Sequence, residues 1–363
     1  MTMGATLLFP AVTPAALDYL RAARARGEAV VCAASVASPE AEAEHGECLR
    51  LPSIYEADFA ARFLALVRER SVARVFCPVA SVHDFMRRFI AERGLELALL
   101  GESPIRQQVA AHRALMARAD RLAPLLRACA DGAAVPDRVE LAGVLRQASL
   151  IYGESNDEKL VALIAVAGSA PRGDVVEIGS LMGRSAFVLL WLARRYRIGP
   201  LFSVDPWSAG AAVQHQSPGE FQRLVEEWDF EALAEGFFVN LAPFGGDDHA
   251  HWRLPSADGF AAYASGRPAV ARSGAPLAPG GRIALLHIDG NHDHDCVTRD
   301  LALWVPRLAD GAWLVLDDYV WAHGDGPRRA GDRLLTAAAP AIGCAFVCGK
   351  ALFVRFDRAP GAG

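Results

Sequence analysis

The sequence of 363 residues has no excess of positive charge. It contains 37 Lys and Arg against 42 Asp and Glu, a net charge of −5 at pH 7. Because a protein that binds nucleic acid needs basic residues to neutralise phosphates, we expect no nucleic-acid partner. Hydrophobic runs of the roughly 20 residues that cross a bilayer are missing too, and no basic segment precedes the first apolar run. We therefore expect no membrane partner and a cytoplasmic location.

The cysteines do not form the pattern of a disulfide-stabilised protein. There are seven, an odd number, scattered through mostly apolar segments, which indicates buried free thiols rather than disulfides. Repeats and low-complexity tracts are absent. Hydrophobic residues make up 52% of the chain and charged residues 22%, a composition typical of globular proteins, and the length leaves room for two domains.

Strands and helices alternate through residues 1–122, a pattern typical of a doubly wound α/β sheet with helices on both faces. We predict a smaller N-terminal α/β domain there, a helical connector at 123–150 and a second α/β domain at 151–363. The second domain should hold a Rossmann-like, mostly parallel sheet that ends in an antiparallel hairpin (344–348 and 352–356). The first turn of the N-terminal domain (10–14) has no glycine, so we expect no phosphate site in it.

The strongest signal is a strand, a Gly-rich turn, a helix and a second strand between residues 175 and 205. Glu177 lies near the end of the first strand, Gly179 and Gly183 shape the turn, and Asp205 ends the second strand. This layout places an acid near the hydroxyls of a bound ribose. The third glycine of the dinucleotide fingerprint is missing, and the Glu177 carboxylate would repel a pyrophosphate. We therefore expect a positively charged nucleoside such as S-adenosylmethionine, and disfavour a nicotinamide cofactor.

Acids follow two further strands. Asp289 comes after the strand 282–288, and Asp317 and Asp318 come after the strand 313–316. Three carboxylates at neighbouring strand ends repel one another unless a cation neutralises them, and oxygen ligands suit Mg²⁺ first, then Mn²⁺ or Ca²⁺. We predict a divalent metal site. The alternative, in which Asp317 caps a turn and Asp318 faces water, stays open.

Histidines lie on the loops beside these acids. His292 and His323 are our candidates for a general base near neutral pH. His287 alternates with Asp289 along the strand, so we expect it to be packed or hydrogen-bonded. A zinc site ranks low because the spacing of the histidines matches no standard zinc pattern.

A long insertion (206–248) separates Asp205 from the next strand. It contains a predicted helix (220–234) with the aromatic residues Phe221, Trp228 and Phe230. Insertions after the carboxyl ends of strands lie over the ligand crevice of such sheets. A substrate lid and a helix that merely covers the sheet are equally compatible with this pattern.

These stretches resemble the class I S-adenosylmethionine-dependent methyltransferases, and among them the metal-dependent O-methyltransferases of the macrocin and mycinamicin type. The resemblance lies in 176–180, 183–185, 204–207, 288–292 and 316–319. It implies a Rossmann-like fold and two groups of site residues. These are Glu177, Gly179, Ser180, Gly183, Asp205, Ser256 and Asp258 for S-adenosylmethionine, and Asp289, Asp317 and Asp318 for the metal.

The N-terminal part resembles the small α/β domain that precedes the ATP-binding domain of ATP-grasp ligases, on residues 101–104 and the helix through His112 and Arg113. Because no ATP-grasp domain follows, ATP binding is not implied. We expect a scaffold for substrate closure or for dimerisation, which leaves a homo-oligomer open.

Together these features predict an S-adenosylmethionine-dependent O-methyltransferase that acts on a small-molecule hydroxyl, of a natural product or a sugar, with a divalent metal. Two alternatives remain. One is a metal-independent N- or carboxyl-methyltransferase, and the other is a non-catalytic regulatory protein that binds a nucleoside.

Overall fold

The computed structural model describes residues 4–36, 38–215 and 218–360, without the side chains of Glu40, His45 and Phe221. Contacts divide the chain into two compact units, Met1–Ala114 and Leu115–Gly363. The division falls inside a helix, Pro104–Ala130. The domain boundaries near 122 and 150 stay predictions.

The first unit is the predicted α/β domain. Its strands are β1 (Ala5–Leu8), β2 (Val30–Ala34), β3 (Cys48–Arg50), β4 (Val72–Phe76) and β5 (Ala98–Leu100). Its helices are α1 (Pro14–Ala25), α2 (Pro39–His45), α3 (Phe59–Glu69) and α4 (Ala80–Glu92), and α5 (Pro104–Ala130) crosses the division. The strands pair in parallel in the order β3-β2-β1-β4-β5.

Local sequence explains how these helices form. Thr13 caps α1 by accepting a hydrogen bond from the Ala16 N–H, and Pro14 occupies the first turn, where its missing N–H costs nothing. The side chains of Ala16, Leu20 and Ala23 recur at helical spacing and are buried. A second apolar cluster around Phe59, with other aromatic rings packed on it, fills the opposite face of the sheet.

The second unit contains the larger sheet. Its strands are β6 (Asp174–Ile178), β7 (Leu201–Val204), β8 (His249–Trp252), β9 (Ala269–Ala271), β10 (Pro276–Leu277), β11 (Ile283–Ile288), β12 (Leu308–Leu316), β13 (Ile342–Cys348) and β14 (Ala351–Phe356). Their order is β10-β9-β8-β7-β6-β11-β12-β14-β13. Strands β8, β7, β6, β11 and β12 are parallel, and β14 and β13 add the predicted antiparallel hairpin. The Rossmann-like prediction is confirmed, with an additional edge ribbon of β9 and β10.

Helices cover both faces of this sheet. They are α6 (Arg138–Leu150), α7 (Asp157–Ala167), α8 (Arg184–Arg195), α9 (Ala209–Ala212), α10 (Gly219–Glu226), α11 (Phe230–Leu241), α12 (Ser256–Ala264), α13 (His294–Trp304) and α14 (Gly326–Ala337), with 3₁₀ turns at Val305–Arg307 and Ala339–Ala341. The helix α7 is buried along its whole length from its third residue. In the described ranges, no helix combines the length and hydropathy of a membrane span.

The insertion after β7 differs from the prediction of one helix over 220–234. The structure has two helices, α10 and α11, with a break at 227–229. The break arises because the Asp229 side chain accepts a hydrogen bond from the Ala232 N–H and so caps a new helix. The side chain of Phe221 lies outside the described residues.

Candidate active site

A cavity of about 920 Å³ lies within the second unit, at the carboxyl ends of the parallel strands. The chain changes direction across the sheet between β6 and β11, and ligands of open α/β sheets bind at such a switch point. The volume is large enough for a nucleoside and a small second molecule. The wall is formed by the segment 152–155, the loop after β6, the insertion after β7, and the loops after β11 and β12.

The loop after β6 approaches the end of β11 more closely than a side chain allows. Gly179 has a φ of +82°, and a Cβ built on it would lie 2.1 Å from the carbonyl oxygen of Asp289. Only glycine fits a positive φ and this contact together. The loop therefore brings Gly179 and Ser180 to the cavity wall beside Asp289.

Asp205 holds the loop in place. Its carboxylate accepts backbone hydrogen bonds from Ser180 (2.8 Å), Leu181 (3.1 Å) and Trp207 (2.7 Å). Burial raises the pKa of Asp205, and these hydrogen bonds oppose the rise. The residue lines the cavity, and its predicted contact with the ribose stays a prediction.

Glu177 is fully buried behind this loop. Its carboxylate accepts a hydrogen bond from the Ser180 hydroxyl (2.6 Å) and lies 3.3 Å from His287 Nδ1. Gly183 lies at the start of α8, where a Cβ would meet the ring of Phe237. Neither Glu177 nor Gly183 is on the cavity wall, so both support the loop from behind. The prediction that His287 is packed and hydrogen-bonded agrees with these contacts.

Asp289, Asp317 and Asp318 come together, as the strand order requires. A buried ammonium lies among them, because Lys159 Nζ hydrogen-bonds Asp289 Oδ2 (3.0 Å) and Asp317 Oδ2. A second lysine, Lys350, places its Nζ 2.6 Å from Asp318 Oδ1 and 3.8 Å from Asp317 Oδ2. Sequence reasoning missed both lysines. The sequence does contain a signal that Lys159 is buried, because this charged residue directly precedes the apolar run 160–167.

Burial and charge set the ionisation of this cluster. Burial works to lower the pKa of Lys159, but the charges of Asp289 and Asp317 outweigh it and raise that pKa above its usual value. Burial likewise works to raise the pKa of Asp289, and the charge of Lys159 holds it well below the usual range. Burial and the charge of Asp289 raise the pKa of Asp317 to about 6. At neutral pH the carboxylates of Asp289 and Asp317 are therefore ionised around a protonated Lys159.

These contacts test whether the acids fit a divalent ion. Ligand atoms of His287, Asp289 and Asp317 lie within 4.8 Å of one another, as do those of Asp289, His292 and Asp318. Each set contains a carboxylate that is already paired with an ammonium group. Asp289 and Asp317 of the first set pair with Lys159, and Asp318 of the second pairs with Lys350. A Mg²⁺ ion takes nearly all its ligands as oxygens in an octahedron, so an ammonium among those oxygens does not fit it. The donor set as it stands does not fit the predicted metal.

His292 is the predicted base that the structure brings to the acids. Its Nε2 lies 3.2 Å from Asp318 Oδ2 and 3.7 Å from Asp289 Oδ1, and its Nδ1 lies 3.3 Å from the side-chain amide of Gln214. Burial works to lower the pKa of His292, and the two carboxylates raise it overall. His323 is exposed at the rim of the cavity and packs against Trp321.

The opposite end of the cavity contains one of the two predicted adenine contacts. Ser256 lines the wall, whereas Asp258 is exposed on the first turn of α12 and does not reach it. Asp300, which the sequence did not single out, is buried beside Ser256 on the wall. Its Oδ1 has no hydrogen-bond partner among the described residues, and burial raises its pKa to about 6. The signal in the sequence was an acid on the otherwise apolar face of α13.

The insertion after β7 is hydrogen-bonded to the loop after β11. The side chain of Asn291 donates hydrogen bonds to the carbonyls of Ala211 (3.0 Å) and Val213 (2.8 Å), and the Asp293 carboxylate accepts one from the His215 N–H. Part of the insertion lines the cavity, and α11 also buries apolar side chains in the core of the unit. The insertion therefore contributes both to the cavity wall and to the core, and its role as a substrate lid stays a prediction.

Comparison with protein families identifies the domain. Residues 176–319 match a family described as a methyltransferase domain. The match extends from the Gly-rich loop to the acids after β12. The chain therefore carries a methyltransferase domain, and its predicted resemblance to the class I S-adenosylmethionine-dependent methyltransferases is confirmed. The resemblance of the N-terminal part to ATP-grasp ligases stays a prediction.

Solved structures with a similar fold include several methyltransferases. The O-methyltransferase NovP is 14% identical, with a TM-score of 0.38 over 60% of this chain and 80% of its own. A putative O-methyltransferase from Klebsiella pneumoniae is 15% identical, with a TM-score of 0.38 over 62% and 92%. MycE of the mycinamycin biosynthetic pathway, solved with Mg and SAH, is 15% identical, with a TM-score of 0.37 over 64% and 58%. A comparison with curated proteins gave no match.

Proposed function

We propose that this methyltransferase transfers the methyl group of S-adenosylmethionine to a hydroxyl oxygen of a small molecule. The observation that carries the proposal is the position of His292. Its imidazole lies between the buried carboxylate of Asp318 and the half-buried carboxylate of Asp289, on the wall of a cavity that the Gly-rich loop also lines. A donor bound on the loop and an acceptor bound at the histidine would share one water-excluding space.

The donor would occupy the part of the cavity between the Gly-rich loop and Ser256. Asp205 lies between them on the wall, and a carboxylate at the end of the second strand is suited to ribose hydroxyls. Asp300, with its unpartnered oxygen, can accept a hydrogen bond from the adenine amino group. The acids of the wall favour a donor whose sulfonium is positively charged.

The acceptor would bind beside His292. In the transfer, an acceptor oxygen forms a bond to the methyl carbon while the carbon–sulfur bond breaks, and its electron pair remains on the sulfur of S-adenosylhomocysteine. The hydroxyl proton passes to the imidazole, which Asp289 and Asp318 stabilise once it is charged. The nitrogen available for this is Nδ1, so the acceptor hydroxyl takes the position of the Gln214 amide.

The sequence predicts this transfer with a divalent metal held by the acid triad, and its metal-independent alternative is transfer to a nitrogen, an oxygen or a carboxylate. The two ammonium groups on the triad favour the metal-independent form. No step of the mechanism above passes through a metal. The aromatic side chains of Trp228, Phe230 and Trp321 on the wall favour a partly apolar acceptor, such as a natural product.

The experiment is calorimetry of the full-length protein with S-adenosylmethionine, followed by mass spectrometry for S-adenosylhomocysteine with a panel of sugars, phenols and glycosylated metabolites. We expect binding and turnover with a hydroxyl acceptor. Binding without turnover on any hydroxyl, amine or carboxylate would favour the regulatory alternative. Absence of binding would overturn the proposal.

A further inference from the structure

Lysine is almost absent from this chain. Of its 363 residues only Lys159 and Lys350 are lysines, while the other 35 residues in the Lys and Arg total are arginines. The two lysines are 191 positions apart in the sequence, yet each contacts two carboxylates of the same group of three. Lys159 contacts Asp289 and Asp317, and Lys350 contacts Asp317 and Asp318. A compact ammonium carries its charge at one point, unlike the planar guanidinium of arginine, and so resembles a bound metal cation more closely.

The surroundings of Lys159 are built to hold a cation. The side chain is 0% exposed, in a helix whose next eight residues are all buried and apolar. A lysine in such a place is costly unless carboxylates pair with it. Lys159 pairs with Oδ2 of Asp289 and Oδ2 of Asp317, and both of these residues belong to one of the two possible metal-ligand sets.

The packing of the β13–β14 turn against α7 brings the two lysines close to each other. The hairpin turn before Lys350 lies on the first turn of α7, where a Cβ on Gly349 would come within 2.4 Å of Asn156 Oδ1 and 2.9 Å of the Lys159 backbone nitrogen. Cys348 Sγ also contacts the Glu158 carbonyl at 3.4 Å. The Lys350 carbonyl accepts a hydrogen bond from the Val320 N–H, which fixes the turn beside the acids.

We propose that Lys159 takes the place of the divalent ion in this site, and that Lys350 completes the charge balance at Asp318. This proposal rests on the proposed function. Three carboxylates with two ammonium groups keep one net negative charge, the same as three carboxylates with one dication. The sulfonium of the donor then meets the same net charge without a metal.

Lys159 acts through Asp289, so it is a positioning residue. The carboxylate of Asp289 pairs with Lys159 through Oδ2 and lies 3.7 Å from His292 Nε2 through Oδ1. With the ammonium fixed in the core, the orientation of Asp289 does not depend on the concentration of free metal. Lys350, which is 19% exposed and lines the cavity, is the ammonium that an acceptor oxygen can reach.

The experiment measures Mn²⁺ binding by electron paramagnetic resonance, with and without S-adenosylmethionine. It compares the wild type with Lys159→Ala, which opens space between two carboxylates, and Lys159→Met, which fills the space without a charge. We expect no Mn²⁺ binding by the wild type up to 1 mM (about the weakest binding worth calling specific) and none by Lys159→Met. We expect Lys159→Ala to bind Mn²⁺ at least about tenfold more tightly, and Asp317→Asn in that background to abolish the gain.

Wild-type binding of Mn²⁺ in the micromolar range would overturn the proposal, and this result needs no variant to fold. Equal Mn²⁺ affinity of folded Lys159→Ala and the wild type would overturn it too. Wild-type calorimetry with S-adenosylmethionine separates this inference from the function. If the donor binds and Mn²⁺ also binds, the lysine inference fails alone, whereas absence of donor binding is a failure of the proposed function.

Discussion

The two units arrange five parallel strands in the same order but differ in the residues at the carboxyl edge of the sheet. The strand order β3-β2-β1-β4-β5 of the first unit is repeated by β8-β7-β6-β11-β12 in the second. In each sheet the chain changes direction beside the first strand. The switch point therefore lies between β1 and β4 in the first unit and between β6 and β11 in the second. In both, the loops after those two strands meet at the carboxyl edge of the sheet.

The residues at the two switch points differ in kind. In the first unit, Phe9 and Ala11 after β1 and Cys77 after β4 are buried in apolar clusters. In the second, Gly179 and Asp289 occupy the corresponding loops on the wall of a cavity. The comparison shows that the order of the strands determines where a crevice can form. The side chains at that position determine whether the crevice is packed with apolar residues or stays open to a ligand.

The largest effect on activity should come from a substitution at the charged cluster of the second unit. We expect His292→Ala to lower kcat by about 10²–10⁴-fold, because the proton of the acceptor hydroxyl loses its base. The affinity for S-adenosylmethionine should change little. His323→Ala is the matched control, since that side chain is exposed at the rim, and we expect it to reduce kcat less than threefold or so. Equal losses in the two variants would contradict the assignment.

The glycines allow the two units to be compared directly. Gly179 and Gly27 both have positive φ values, +82° and +70°, but only at Gly179 would a Cβ meet backbone. Gly179→Ala should weaken binding of S-adenosylmethionine roughly 100-fold, because the loop must move away from Asp289. Gly27→Ala should cost about 1–2 kcal/mol of stability from backbone strain and leave binding intact. Calorimetry and urea denaturation measure both, and similar binding losses would break the comparison.

Apolar side chains fill the switch point of the first unit. A carboxylate introduced there should destabilise this unit without creating a ligand-binding site. Cys77 is 2% exposed, and burial raises the pKa of its thiol to about 12. Cys77→Asp should lower the free energy of unfolding by about 3 kcal/mol, because the buried carboxylate has no cation beside it. Cys77→Ser, the control of similar size, should lose about 1 kcal/mol. We expect neither to change the affinity for S-adenosylmethionine, and a tenfold change in affinity would show that this end also serves the cofactor.

The smallest effect concerns the part of the cavity around Ser256 and Asp300, where we propose that the adenine binds. Asp300→Asn should weaken S-adenosylhomocysteine binding about tenfold, and should remove the preference for it over the inosine analogue, which lacks the amino group. Burial raises the pKa of Asp300 to about 6, so the empty site gains a proton below that pH. Only the ionised form accepts fully from the amino group, and wild-type affinity should therefore fall as pH drops below about 6. An unchanged preference in the variant would place the adenine elsewhere.

Much of the site could be predicted because parallel strands impose it. Once Glu177, Asp205 and Asp289 were assigned to the ends of strands in one sheet, the acids had to converge on one edge. The same argument could not place Asp258, which lies after a strand in the sequence but on an exposed turn of α12. Asp300 reaches the wall because α13 presents one face to it, and a helix face is not determined by strand order.

The sequence by itself determined two α/β units, the Gly-rich loop and the gathering of three aspartates, since these follow from local patterns and the geometry of parallel sheets. Only the tertiary structure decided which cation lies among the aspartates. Lys159 comes from a helix 130 residues before Asp289. Its position follows from the packing of α7 against the β13–β14 turn, a long-range contact that no local pattern encodes.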